Sequence, residues 1–468
     1  MSVSLTFTTL GELIKRKRVK IGISLSEVSR MTGISKGVLS KIESGDTKRP
    51  ELRTLKPIAD VLAIPYEGII EWYIEVEHRI EVFDDFLSLC IEVSNTSLVI
   101  KVAMKFLENS KEETHILLEH IYRLANSSTN NEMKLALYNT IISYSRVHGI
   151  PHFIAKTSLQ KYLIERQDFK NMEESFKIGE EVVHYADFLT EEERIILYFR
   201  MALQAYAIKK YETCIELCQA GIALEKNDTE LKARAYLAMI NSYSDLHNYD
   251  SVENLLDIFE KFEYKFVLES SMITRAITKA KKKEYEIAIP MLKKYMDELS
   301  KDNKVHVVNE LLGIYIHFNI VESINEIINR ERELLPDNAY TPYKLTSLAR
   351  YYRQKADFQI SKELLEEGME SYINSITTYG KINDHIEIAE CLQEIFKYFS
   401  KNSKPIDLHY VKQLEEAYNE MIPMKKKIVL MLLTLGLITN IGFVSVETEE
   451  ANNLNEFSMR ANNADPGY

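Results

Sequence analysis

Between about Thr9 and Tyr418 apolar residues recur at the three- and four-residue spacing of a single helix face, interrupted by short polar turns. The first such segment runs from about Thr9 to Lys20, and Gly22 ends it. A tighter pattern follows over Ser24 to Gly45, SLSEVSRMTGISKGVLSKIESG. Ser24 and Glu27 have the spacing of a capping box, in which serine and glutamate each accept from a free backbone N–H. Val28 and Met31 then place apolar groups on one face. Gly33 supplies a residue that takes positive φ at the turn, and Ile34 plugs the corner. Ser35 is placed to cap a second short helix, with Val38, Leu39 and Ile42 directed inward and Lys36, Gly37, Ser40 and Lys41 outward. Pro50 and Glu51 suit the first turn of a fourth helix whose core stripe is Leu52, Leu55, Ile58, Ala59 and Leu62. A fifth starts at Pro65. The pattern predicts one further helix from Ile70 to about Cys90, with Trp72 packed where it leaves the head.

Beyond this head, polar breaks each carry an aromatic or aliphatic residue: Phe169, Tyr211, Tyr249, Tyr285, Ile320 and Phe358. Their spacings are 42, 38, 36, 35 and 38 residues. That lies near the 34-residue tetratricopeptide period and resembles a degenerate solenoid of helix pairs with a right-handed superhelical path. The fold class expected is all-α: a five-helix head followed by this solenoid. The divisions are 1–69 for the head, 70–150 for a linker helix and irregular first repeats, 151–422 for the repeats, and 423–468 for a tail. The inner wall of such a solenoid is lined by the first helix of each pair. Counting back from the breaks puts Tyr206, Asn241, Arg350 and Arg353 there, with Asn309 and Arg275 nearby. Asparagine amides hold an extended peptide backbone, and arginine holds its carboxylate.

The tail departs from this pattern. Three lysines precede some nineteen mostly apolar residues to Val446, and a polar end follows. Three readings stay open: a helix capping the last repeat, a membrane anchor of marginal length, or a signal peptide starting at Met424 and leading a small exported pro-peptide.

Charge sharpens the division between head and body. The chain carries −12 overall, yet Met1 to Pro65 holds twelve Lys/Arg against six Asp/Glu, leaving 46 against 64 for the remainder. A basic head at +6 on a body at −18 suits a nucleic-acid reader with a separate effector region. Lys15, Arg16, Lys17, Arg18, Lys20, Lys48, Arg49 and Arg53 are candidate phosphate contacts, which set affinity and salt dependence but not sequence choice. The four cysteines imply no disulfide framework in so long a chain, so a reducing cytosol is expected, and Cys214 and Cys218, one helical turn apart, read as a buried thiol pair. His115 and His120 miss both common helical zinc spacings. Neither a glycine-rich phosphate loop nor a nucleophile elbow occurs, so no catalytic residue, metal or cofactor is assigned and the chain is read as a non-enzyme.

Leu10 to Tyr66 resembles the Xre/Cro-type helix-turn-helix family in cap, turn and helix order. That resemblance implies base-reading by Ser35, Lys36, Ser40 and Lys41, with Gly37 standing where a longer polar side chain is usual. Arg16, Arg49 and Arg53 fall among the backbone contacts. Head and repeats together resemble the DNA-binding members of the RRNPP family of peptide-pheromone receptors. The resemblance implies a cytoplasmic homodimer on a palindromic operator, controlled by a short oligopeptide in the groove of the repeats. Family receptors commonly lie beside the gene of their pheromone precursor, so a precursor-like tail reads as a fusion of the two, with residues 461–468 as a candidate peptide. Two other classes stay open: a tetratricopeptide scaffold acting on a partner protein, and a ligand-independent phage- or plasmid-type repressor.

Overall fold

In the head, short helices are stopped by explicit caps. The computed structural model describes residues 9–74, 79–108 and 112–421; the tail 423–468 and its three readings lie outside the described residues. Helix α1 (Leu10–Ile21) starts on the Thr9 side chain and stops at Gly22, φ 79°. Helix α2 (Leu25–Thr32) has the full capping box: the Glu27 amide donates to Ser24 Oγ at 3.2 Å and the Ser24 amide to Glu27 Oε2 at 2.6 Å. Gly33 follows at φ 72°. Helix α3 (Lys36–Glu43) is capped by Ser35, whose Oγ accepts from the Val38 amide at 3.3 Å. Helices α4 (Leu52–Leu62) and α5 (Tyr66–Ile74) complete the head.

Two expected core residues are not in the core. Met31 is 59% exposed and Val38 41%. A two-turn helix presents only a narrow strip inward, and here it is filled by Val28 on α2 and by Leu39 and Ile42 on α3. The single helix expected over Ile70–Cys90 is also replaced by two, α5 and α6 (Ile80–Glu92), with Arg79 in extended conformation before α6. The rings of Tyr73 and Phe86 meet edge-on at 5.3 Å. In one straight helix those residues would stand about 20 Å apart, so burying both against each other requires the bend. Trp72 is partly buried at this joint, its ring 5.7 Å from that of Tyr73.

Helices α7 (Thr96–Leu107), α8 (Thr114–Ser127) and α9 (Asn131–His148) follow. One apolar core runs without a gap from Leu10 in α1 through these helices to Phe153. Polar contacts reinforce it: Glu67 accepts from Asn95, and Glu71 pairs with Lys101.

From Pro151 the helices come in pairs. They are α10 (Pro151–Glu165) with α11 (Met172–His184), α12 (Glu191–Ala207) with α13 (Tyr211–Leu224), and α14 (Glu230–Asp245) with α15 (Tyr249–Phe259). Next come α16 (Lys265–Lys281) with α17 (Tyr285–Glu298), then α18 (Lys301–His317) with α19 (Val321–Asn329) and the short α20 (Glu331–Leu334). Last are α21 (Pro342–Ser361) with α22 (Leu365–Gly380), and α23 (His385–Lys401) with α24 (Leu408–Met421). No strand occurs among the described residues, so the protein is all-α. The chain divides into two packing units, Met1–Tyr343 and Lys344–Tyr468.

The corners within pairs share one device. Lys209, His247, Lys283, Asn319 and Glu363 take φ between 54° and 63°. The amide two positions past each helix end reaches back across the turn: Lys210 to Ala205 O at 2.8 Å, Asn248 to Tyr243 O at 2.8 Å, Glu284 to Lys279 O at 3.0 Å. This is the Schellman closure, made here without glycine. The last expected break, at Phe358, is instead inside α21; Phe358 is 5% exposed and the corner comes at Glu363. The stretch ADFQIS contains no helix breaker, and Gln359, also buried, accepts from Ser371 of α22 at 2.7 Å.

Candidate nucleic-acid interface and repeat surface

The face of α3 is set by what lies beneath it. Leu39 and Ile42 are each 1% exposed and fix the helix to the head's core. Lys36, Gly37, Ser40 and Lys41 are left on the solvent side. Neither lysine makes an ion pair with another described residue. Ser35, at the capped N-terminus, keeps α3 from fraying where its amides face outward. After α3 the chain turns back at Gly45, φ 80°, and the Thr47 amide donates to Lys41 O at 2.9 Å. The Tyr73 hydroxyl donates to Pro50 O and holds this loop to α5. Lys48 and Arg49 therefore project from a braced loop, both exposed. Arg16 and Arg53 are exposed as well, and Arg53 pairs with Glu51.

Arg18 has another role. Its Nε and Nη2 donate to the two carboxylate oxygens of Glu43 at 2.6 and 2.8 Å, and Nη1 donates to Ile23 O at 3.0 Å. The side chains are 14% and 7% exposed, and the hydrogen bond to Glu43 raises the arginine's pKa further. This guanidinium ties the end of α3 to α1 and is not turned toward a phosphate. Gly11 does related work. A Cβ there would sit 2.2 Å from Ile42 O, so only glycine lets α1 approach the last turn of α3. Sequence reading missed both. The GE and IE pairs carry no local signature, because the partners are brought together over 25 to 31 residues of chain.

The comparisons with known proteins bear on this face. Residues 14–69 match a family model described as Helix-turn-helix. The amino-terminal segment is a helix-turn-helix DNA-binding domain. Beyond its limits, 121 residues are 26% identical to the HTH-type transcriptional repressor RghR of Bacillus subtilis, covering 24% of this chain and 88% of that protein. A further match, to the HTH-type transcriptional regulator SinR of the same organism, is 26% identical over 102 residues, 22% of this chain and 92% of the relative. Two solved structures extend past the helix-turn-helix domain. A structure of selenomethionine phAimR is 15% identical, covering 88% of this chain and all of that one, at a TM-score of 0.37. Bacillus thuringiensis PlcR in complex with the peptide PapR7 and DNA is 16% identical over 58% of this chain and 99% of that one, at 0.20. Likeness at those scores does not establish a shared arrangement.

The six residues expected to line the repeats all lie on first helices of pairs: Tyr206 on α12, Asn241 on α14, Arg275 on α16, Asn309 on α18, Arg350 and Arg353 on α21. Their surroundings differ. The Tyr206 ring lies 5.9 Å from those of Tyr211 and Tyr343, and burial pushes its phenol well above the ordinary range. Tyr343 in turn stacks on His306 of α18 at 4.5 Å. Tyr343 thus meets α12 and α18, helices a hundred residues apart. Asn241 is half-buried, and its side chain makes no hydrogen bond with another described residue. Asn309 is 3% exposed. Arg275 is held by both oxygens of Glu260, at 2.8 Å each, and by Asp257 at 3.1 Å. Arg353 donates to Glu387 at 2.8 Å and Glu390 at 2.6 Å. These two arginines already have carboxylates from their own chain.

The remaining chemistry-bearing residues are structural. His120 bonds Asp84 at 2.7 Å. The four cysteines are free and buried, and Cys218 Sγ donates to Ala235 O at 3.2 Å. Among the described residues no cluster of His, Cys, Asp and Glu is placed to hold a metal, and no helix is long and apolar enough to cross a membrane.

Proposed function

We propose that this protein is a homodimeric, cytoplasmic transcription regulator whose grip on a palindromic operator is governed by a short oligopeptide bound along the first helices of its repeats. The carrying observation is the α3 face: two unpaired lysines and two small residues displayed over a buried anchor, at a capped helix N-terminus, in the one basic region of an acidic chain. Ser35, Lys36, Ser40 and Lys41 read base edges, Gly37 admits close approach, and Arg16, Arg49 and Arg53 contact phosphates. Two heads on one duplex face need half-sites about one helical turn apart, or a multiple of that.

Control from the repeats is favoured by the shared core. No gap separates α1 from α9, so a change in the repeats reaches the head through packed side chains rather than a slack linker. The peptide shifts DNA affinity only as far as it binds the two arrangements unequally. Tyr206 supplies an apolar shelf, and the Asn241 amide is free to pair with a peptide backbone. With Arg275 and Arg353 neutralised, a peptide carboxylate at either would have to displace Glu260 or Glu387.

The test is a selection of duplexes bound by the full-length protein from a random pool, followed by titration of the best site. Lys36→Ala with Lys41→Ala should abolish selective binding and leave melting unchanged. Full retention of operator affinity would reject the helix-turn-helix reading in favour of a scaffold. Unaltered DNA affinity over a pool of five- to eight-residue peptides would leave a ligand-independent repressor.

A further inference from the structure

We propose that Arg166 and Arg200 form a carboxylate-binding subsite in the repeats, taking an acidic group of the peptide ligand; only the ligand's identity as a peptide rests on the function proposed above. Arg166, Arg200 and Arg234 stand 34 residues apart in sequence, one tetratricopeptide period. They fall at the end of α10, the middle of α12 and the start of α14, three successive first helices. The first two are brought together by a buried polar joint. The Tyr162 hydroxyl donates to Gln204 Oε1 at 2.8 Å, and Gln204 Nε2 donates to Met172 O and Ser175 Oγ at 2.7 Å each. Arg166 is one turn beyond Tyr162, and Arg200 one turn before Gln204.

What distinguishes these arginines is the acid they lack. Arg275, Arg330 and Arg353 each hold two carboxylates of the chain. Arg200 is half-buried and makes no hydrogen bond or ion pair with another described residue. Arg166 shares a hydrogen bond with Tyr162, yet its Nε is buried with no partner. Burial, and then the charge of Arg166, lower the pKa of Arg200. Arg234, the third in the row, is already satisfied by Glu230 at 2.6 Å and by the face of Phe266 at 4.5 Å. Two desolvated like charges weaken a fold unless an anion joins them. A planar, forked pair of donors is suited to a carboxylate. Nucleic acid is the poorer occupant, because the chain beyond Pro65 carries −18 and repels a polyanion, whereas a short peptide brings one or two carboxylates.

The experiment melts the full-length protein with sodium succinate or sodium chloride at equal ionic strength. Succinate should raise the wild-type Tm by about 1–3 °C, as expected for a ligand that binds only the folded state. Arg200→Gln and Arg166→Gln should each lose that rise while melting, without succinate, no lower than wild type. No succinate effect in wild type, or an equal effect in both variants, overturns the subsite. So does a variant that melts well below wild type and retains the succinate response, or a loss of operator affinity in Arg200→Gln without peptide. The octapeptide ANNADPGY then separates the sources of the carboxylate. Weaker binding of its C-terminal amide assigns the terminus, and weaker binding of its Asp465→Asn form assigns the side chain. If it fails to bind while succinate still acts through both arginines, the subsite stands and this peptide is removed as its ligand.

Discussion

The head and the repeats both turn their helix ends through positive φ, but they do it with different residues. In the head Gly22, Gly33 and Gly45 take the left-handed positions, with Ala63 the exception. In the repeats lysine, histidine, asparagine and glutamate take them. A side chain there costs about 1 kcal/mol relative to glycine, and the repeats tolerate it because each corner is closed by backbone hydrogen bonds and stacked on its neighbours. The head has short helices and few neighbours, so its local geometry has to be right at each turn. Charge divides the same way. Cations on the α3 face of the head stand unpaired among the described residues, while most arginines of the repeats are tied to acids of the next helix. An unpaired surface cation is available to a ligand; a paired one organises the scaffold.

The strongest way to break this comparison is Gly11→Val. The added carbons meet Ile42 O, and the head should lose about 3 kcal/mol, seen as an early melting step and loss of DNA binding while most helix signal persists. A single unchanged transition would show that α1 does not depend on that approach. Arg18→Met should cost about 2 kcal/mol by leaving the Glu43 carboxylate buried and unpaired. Adding Glu43→Leu should restore most of it, and a double-mutant cycle with no coupling would refute the tie. Lys36→Ala and Lys41→Ala should each weaken operator binding about tenfold, near 1.4 kcal/mol, with no change in Tm. Lys209→Gly sharpens the other half of the comparison: it should stabilise the repeats by about 0.5 kcal/mol, after allowing for the looser unfolded chain. Denaturant titration reads this, and destabilisation would mean the Lys209 side chain has a contact that outweighs its backbone cost.

The smallest effect is in pH. The Ser24 amide holds the exposed Glu27 carboxylate below its ordinary value of 4.5. The folded head therefore binds fewer protons there than the unfolded chain, and the capping box contributes fully above that pH. The contribution fades as pH falls through the folded value. Glu27→Gln should flatten the head's stability profile in that acid range; an unchanged profile would mean the box adds nothing in solution.

Sequence alone determined the helical class, the capping box, the Gly33 turn, the α3 cap and the corners at Tyr211, Tyr249 and Tyr285. Each depends on residues within one or two turns of chain, where spacing and backbone preference act directly. Only the tertiary structure decided that Met31 and Val38 stay exposed, that α5 and α6 part so Tyr73 can meet Phe86, and that α21 runs past Phe358. It alone joined Arg18 to Glu43, gave Arg275 and Arg353 to neighbouring acids, and left Arg166 and Arg200 together without one. Those outcomes depend on which faces are covered and which charges meet across tens of residues, and a helical period is the same whether or not an acid waits on the next helix.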